Sequence, residues 1–202
     1  MARWLGLVHA PARALARTGV GPDTVTAGAV VLAVAVPLAA AASRVGVPPA
    51  GAALAASLLT VLSGISDNLD GAVAALTGRS SRWGFVLDSV SDRVADVAYL
   101  LALWALGAPG VLVAAGGALT GFQEYARARG IAAGLDEVGV VTVSERPTRV
   151  LVAALFMLAA AVLPGSGDHA VATWATAGAG VWTAAHVVGV VTVLRWLRRT
   201  LR

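Results

Sequence analysis

Five aspartates, Asp67, Asp70, Asp88, Asp92 and Asp96, fall within residues 66–96 of a chain that is almost wholly apolar on either side of them. An ionised carboxylate held away from water is costly unless it is paired, hydrated or bound to a cation. The chain must therefore fold so that these acids meet one another and some source of positive charge. Their spacing indicates how. Asp67 and Asp70 are three residues apart, and Asp88, Asp92 and Asp96 follow one another at intervals of four. Each set then lies along a single face of a helix. Between them, TGRSSR (77–82) is a short polar turn that returns the second helix antiparallel to the first. At a rise of about 1.5 Å per residue, Asp70 and Asp67 lie about 13 and 18 Å before Arg79, and Asp88 and Asp92 about 9 and 15 Å after Arg82. The two acidic faces are expected to meet at similar depth.

The surroundings explain why this matters. The chain of 202 residues is 58% hydrophobic and only 13% charged, with a mean hydropathy of +0.80. A soluble domain has about 45–50% apolar and about 25% charged residues, so a water-facing surface cannot be covered in the usual way. The expected fold class is all-α integral membrane, with six transmembrane helices and an N-terminal amphipathic surface helix. The whole of residues 1–202 forms one domain, the surface helix over 1–20 and the six-helix bundle over 21–202. Apolar runs of the length needed to cross a bilayer cover 22–43, 49–76, 83–106, 109–132, 147–163 and 171–197. Pro37 should kink the first. The runs lack the alternation of an outer-membrane barrel strand. At the N-terminus, Trp4, Leu5, Leu7, Val8 and Leu15 are mixed with Arg3, Arg13 and Arg17. That pattern suits a helix lying on the membrane rather than a secretory signal.

Every basic residue is arginine, and there is no cysteine. Disulfides and thiolate chemistry are excluded. The arginines also orient the bundle. Arg3, Arg13, Arg17, Arg79, Arg82, Arg127, Arg129, Arg146, Arg149, Arg195, Arg198, Arg199 and Arg202 all fall on one side of a six-span topology, and the opposite loops hold only Arg44. That side is expected to be cytoplasmic, with both termini and the acid-bearing turn there in a multi-pass protein of the cell membrane. No nucleic-acid partner is expected.

Four carboxylates converging in a bilayer repel unless divalent cations neutralise them. A donor set of oxygens alone, with no cysteine and no nearby histidine, points to Mg²⁺ or Mn²⁺ rather than zinc. His9, His169 and His186 stand apart from the acids and read as structural. Gly71 and Gly84 flank the acids, where a small residue permits close approach of a ligand or of a neighbouring helix. A divalent-cation transporter, with acids lining an ion path, is an alternative at this level.

The spacing resembles the signature of the CDP-alcohol phosphotransferase (CDP-alcohol phosphatidyltransferase) family, D-x2-D-G-x2-A-R-x8-G-x3-D-x3-D. Asp67, Asp70, Gly71, Ala74, Gly84, Asp88 and Asp92 fall on it without a gap, and Ala75 stands where the signature has arginine. The resemblance implies a metal-dependent membrane enzyme, a homodimer, that transfers a substituted phosphate from a CDP-alcohol to a second alcohol and releases CMP. It implies two ions, Mg²⁺ or Mn²⁺, held by Asp67, Asp70, Asp88 and Asp92, with Asp92 also the general base. Asp96 lies outside the signature, in a supporting or structural role. Arg79, one turn beyond Ala75, is expected to serve the donor in place of the missing arginine. A catalytically silent relative would have lost one of the four acids, and none is lost.

Within the family the chain is most similar to the actinobacterial phosphatidylinositol phosphate synthases. By that similarity GPDTVT (21–26) implicates Asp23, Thr24, Val25 and Thr26 in holding the CDP end of CDP-diacylglycerol, together with Gly71, Arg79 and Ser81. The same segment reads locally as a helix start capped by Asp23 or Thr24. Arg127, Arg149 and Arg195 lie where the group binds the phosphate of its acceptor, inositol 1-phosphate. Arginine suits that task because its fork grips phosphate oxygens in pairs. Each of the three is alternatively a topology-setting residue or a contact for membrane lipids. A sibling enzyme using glycerol 3-phosphate or another headgroup is the nearest competing reading. Gln123 and Glu124 have no assigned place.

Overall fold

The computed structural model describes residues 2–136, 139–163 and 168–202, with the first helix's side chains described from Ala10 onward. Among these residues there are seven α-helices and no strand: α1 Ala2–Arg17, α2 Pro22–Ala41, α3 Pro49–Thr77, α4 Arg82–Ala105, α5 Gly110–Ala132, α6 Arg146–Val162 and α7 Asp168–Thr200. Helices α2 to α7 correspond to the six apolar runs. Three stretches, Pro22–Val45, Pro49–Thr77 and His169–Thr200, are long and apolar enough to cross a membrane on those grounds alone. The other helices fall short for visible reasons. α4 carries the buried charges, α5 ends in arginines, and α6 has only 17 residues.

Local chemistry sets the helix ends. α2 begins at Pro22, with Gly21 as its extended cap and no side-chain cap. This corrects the expectation that Asp23 or Thr24 caps it. Proline suits the first helical position because its missing N–H has no partner there, which leaves Asp23 inside the first turn. α2 continues through Pro37 and ends in a 3₁₀ turn, Ala42–Val45. α3 stops at Gly78, whose φ of +65° is the left-handed conformation that glycine adopts without penalty. Ser81 then caps α4, its Oγ accepting a hydrogen bond from Gly84 N at 2.9 Å. These two residues make the sharp return that the acids require.

α3 and α4 do not pack as a simple antiparallel pair. α2 lies along both, and the two touch each other only sparsely. α3 also packs on α6, and α7 closes the bundle against α5 and α6. Small residues allow these close approaches. Ala33, Ala40, Ala53, Ala56, Ala95, Ala102, Ala153 and Ala179 are all buried, filled in by Tyr99, Leu103, Met157 and Trp182. Hydroxyls link the helices, as is common where the surroundings are apolar. Ser63 Oγ donates to Ala29 O at 3.1 Å, Tyr99 Oη to Ser63 Oγ at 3.1 Å, Ser57 Oγ to Ala154 O at 2.9 Å, and Trp182 Nε1 to Thr120 Oγ1 at 3.0 Å. The outer face carries large exposed apolar side chains such as Val31, Leu38, Leu58, Val111 and Leu155, a surface suited to lipid.

α1 sits against the end of this bundle, on α3. Ala12 is buried with Val25 and Val73, flanked by Leu15, Val20, Leu69 and Ala72. Val25 is thus buried in this cluster at the start of α2. The apolar face expected from Trp4, Leu5, Leu7 and Val8, and the side chain of His9, lie outside the described side chains.

The α5–α6 connection is held from behind. Ser144, fully buried, donates to Gln123 Oε1 at 2.7 Å, and α7 passes so closely at Gly189 that a β-carbon there would collide with both groups. Gly189→Ala is expected to destabilise the protein by about 1–3 kcal/mol, the usual cost of forcing an atom into a packed interior. Thermal unfolding in detergent micelles checks this, and Gly180→Ala, at an open position on the same helix, should be neutral by comparison.

Candidate active site

The acids of α3 and α4 do meet. Asp67, Asp88 and Asp92 each bring a carboxylate oxygen to within 4.8 Å of the others. Asp67 and Asp92 are partly buried and Asp88 is exposed. This is the spacing of oxygens that can share a cation. Asp70 is turned a different way. Its Oδ2 accepts a hydrogen bond from Thr26 Oγ1 at 2.6 Å, and its Oδ1 one from Gly71 N at 2.6 Å. Three of the four expected ligands thus converge, while the fourth is tied to α2 through Thr26.

Asp70 lines a cavity of about 220 Å³ beside the cluster. Its wall includes Asp23 and Thr26 from α2, Gly71 from α3, Arg79 and Ser81 from the turn, and Asp88 from α4. Five of the seven residues expected at the CDP end therefore share one cavity. Thr24 is exposed, Val25 is buried in the cluster with Ala12 and Val73, and neither lines this wall. The reason is rotational. Residues 23 and 26 are one turn apart on α2 and share a face, and 24 and 25 point elsewhere. Nothing lies within 4 Å of where a β-carbon on Gly71 would be, so the cavity reaches that backbone.

On the other side of the cluster is a layer of arginines. Arg146, at the start of α6, is the residue that the sequence left as a topology marker, and its guanidinium reaches two of the converging acids. Nη2 donates to Asp67 Oδ1 at 3.0 Å, and Nη1 donates to the backbone carbonyl of Asp92 at 2.9 Å. Nε lies 2.9 Å from Asp92 Oδ1, close enough to ion-pair. The angle makes no hydrogen bond, so this buried oxygen keeps an uncommitted lone pair. Long-range pairing of this kind has no signature in linear spacing. The only local signal was an arginine directly before Pro147 at a helix start.

Behind Arg146, Asp96 and Glu124 each receive Arg93 and Arg149. Arg149 is 3% exposed. It donates to Asp96 Oδ2 at 2.5 Å and to Glu124 Oε1 at 2.8 Å. Arg93 pairs with the same two acids at 3.1 and 3.2 Å. Arg127 donates to Glu145 Oε1 at 2.6 Å and to Val140 O at 3.2 Å. Arg195 is exposed on α7. Of the three arginines expected to converge, Arg127 and Arg149 are each committed to carboxylates. His186 is buried and stacked on Trp182, with ring centroids 5.4 Å apart.

A sequence model of the CDP-alcohol phosphatidyltransferase family matches residues 20–196. Phosphatidylinositol phosphate synthase of Streptomyces avermitilis is 38% identical over 154 residues, 70% of this chain and 59% of that protein. The Corynebacterium glutamicum enzyme of the same name is 34% identical over 67% of this chain and 64% of its own length. The chain thus spans about three-fifths of these relatives. In three dimensions it resembles phosphatidylinositol phosphate synthase of Mycobacterium tuberculosis. The crystal structure with manganese and citrate gives a TM-score of 0.73 at 25% identity, over 95% of this chain and 88% of that one. The structure with CDP-DAG bound gives 0.72 at 26% identity, over 94% and 92%.

The buried pairing has an energetic consequence. Arg149→Met fills the space without the charge and leaves Asp96 facing fewer donors. Breaking a buried ion pair from one side costs about 3–5 kcal/mol. The variant should lose that much stability in a denaturant titration in mixed micelles, whereas Arg195→Met, on the exposed face, should lose almost none.

Proposed function

The chain belongs to the CDP-alcohol phosphatidyltransferase family, and from that premise we propose that it transfers the phosphatidyl group of CDP-diacylglycerol to a hydroxyl of a phosphorylated polyol, inositol 1-phosphate, with release of CMP. The observation that carries this reading is the meeting of Asp67, Asp88 and Asp92 beside a cavity walled by Asp23, Thr26, Asp70, Gly71, Arg79 and Ser81. The donor is that of the solved mycobacterial structure with CDP-DAG bound. The acceptor is the one implied by the relatives named as phosphatidylinositol phosphate synthases.

The residues fit divalent metal. The donor set is carboxylate oxygen throughout, and Asp92 Oδ1 is buried without a hydrogen-bond donor among the described residues. Charge supports a count of two ions. Asp67, Asp70, Asp88, Asp92, Asp96 and Glu124 bring six negative charges, against three positive from Arg93, Arg146 and Arg149. One divalent ion would leave the cluster anionic, and two would overcompensate just enough to attract a diphosphate. Bound there, Mg²⁺ or Mn²⁺ would grip the diphosphate oxygens and offset the charge that develops as CMP departs.

The chain's own groups supply the rest. Asp23 and Thr26 face the nucleotide end of the cavity. Arg79 contributes the positive charge that Ala75 withholds, from one turn further along and on the cavity wall. Asp92 takes the proton of the acceptor hydroxyl as the hydroxyl oxygen bonds to the phosphorus that carries diacylglycerol and the bond from that phosphorus to CMP breaks. Arg127, Arg149 and Arg195 face the acceptor phosphate, the first two oriented by Glu145 and by the Asp96–Glu124 pair. In this reading α2 to α7 are six membrane crossings of a homodimer subunit. α1 lies on the bilayer, and both termini and the acid cluster are at the cytoplasmic side.

The test is CMP release in nanodiscs containing CDP-diacylglycerol, with Mg²⁺ or Mn²⁺ and one acceptor at a time. Inositol 1-phosphate should give the fastest turnover, ahead of glycerol 3-phosphate, inositol and serine, and EDTA should abolish it. Absence of CMP with every acceptor would sink the assignment. Asp92→Asn should lower kcat by about 10²–10⁴-fold, the usual worth of a general base. Arg79→Ala should raise the KM for CDP-diacylglycerol by about tenfold, equivalent to one charge-assisted hydrogen bond. An unchanged KM would reject its role as the substitute arginine.

A further inference from the structure

Asp96 lies outside the phosphotransfer signature, yet it is only 2% exposed and draws on three arginines. It sits one turn below Asp92 on α4. Its Oδ2 takes Arg149 and Arg93, and its Oδ1 stands 3.4 Å from Arg146 Nη1. Glu124 on α5 takes the other ends of Arg149 and Arg93. Arg146 is therefore divided. One side of its guanidinium is attached to Asp96, and the other to Asp67 and Asp92, which belong to the converging triad.

That division matters because a guanidinium and a divalent cation want the same oxygens. A fixed positive charge about 3 Å from two ligand carboxylates weakens their hold on a metal. It does so less when part of that charge is already spent on another acid. We propose that Asp96 is a positioning residue for metal binding. With Glu124 it restrains the arginine layer, so that Arg146 braces Asp67 and Asp92 without displacing a cation from them. The proposal rests on the reading of Asp67, Asp88 and Asp92 as metal ligands. Without the Asp96 charge, three guanidiniums would face Glu124 and the triad alone. Arg149 is also paired with Glu124, so it would remain there. Arg146 would then be drawn wholly onto Asp67 and Asp92.

The experiment measures Mn²⁺ binding to the whole chain in detergent, without substrate, from the electron paramagnetic resonance signal of free Mn²⁺. The unaltered protein should bind Mn²⁺. Asp96→Asn, which keeps the shape and removes the charge, should raise the Kd by about tenfold or more, as expected for a residue that orients ligands without touching the metal. Adding Arg146→Gln in that background should restore most of the lost affinity, because the nearer competing cation is gone and only Arg93, 3.5 Å from Asp92 Oδ2, remains against the triad. A merely structural Asp96 predicts a double variant at least as weak as the single one. That result overturns the proposal, as does an unchanged Kd for Asp96→Asn. If Asp96→Asn does not fold, Glu124→Gln takes its place. It removes the other acid from the same arginines, and it should weaken Mn²⁺ binding in the same direction, with no change counting against the idea. Failure of the unaltered protein to bind Mn²⁺ would instead overturn the metal reading, and this proposal with it.

Discussion

A planar guanidinium lodged between Asp67 and Asp92 allows acids from two helices to stand together in an apolar bundle. Carboxylates buried in company repel, and the desolvation of each is unfavourable before any attraction is counted. Arg146 meets both problems because its fork addresses two carboxylates and a backbone carbonyl at once. Lysine, a point charge on a flexible stem, offers no such fixed geometry. The layer behind it, Asp96 and Glu124 with Arg93 and Arg149, extends the same alternation of charge into the space between α4, α5 and α6. The ion pairs between α4, α5 and α6 thus join into one connected network.

Such a network demands a rigid mount, and the α5–α6 connection supplies it. Thr142 donates from both its backbone N and its Oγ1 to Glu145 Oε1, at 2.8 and 2.9 Å. The same oxygen receives Arg127 from α5. Gln123 accepts from Ser144, which is pressed against α7 at Gly189. The segment is irregular and partly exposed, and its buried polar side chains, Thr142 and Ser144, are paired, as groups shut off from water must be. Gln123 and Glu124, unassigned in the linear reading, turn out to face opposite tasks. One fastens this connection, and the other serves the arginine layer.

The features legible in the sequence and those hidden from it divide along the range of the interaction. The apolar runs matched α2 to α7 because helix extent is a local property of hydrophobicity, proline and glycine. The meeting of Asp67 with Asp88 and Asp92 came from periodicity and the short turn at Gly78, again local. The interposition of α2 between α3 and α4 was not legible, because it depends on which alanines permit close approach. Asp70 turning to Thr26, and Val25 turning into the cluster with Ala12 and Val73, depend on helix rotations that the pattern of apolar residues in α2 does not settle, since that helix is apolar on every side. Arg146 was invisible for the same reason. Its partners lie 54 and 79 residues away in the chain.

Arg146 and Arg149 both hang from the first turn of α6, whose start is pinned by Glu145 and Pro147. Each residue added to an α-helix rotates the remainder of that helix by about 100°. One extra residue between the pinned start and Arg149 would therefore swing that guanidinium away from Asp96 while Arg146 stayed in place. Variation in length is confined by this to the far end of α6 and to the tip of the preceding segment. A chain that keeps the Arg149–Asp96 pair can change the first turn of α6 by exchanging side chains, not by inserting them.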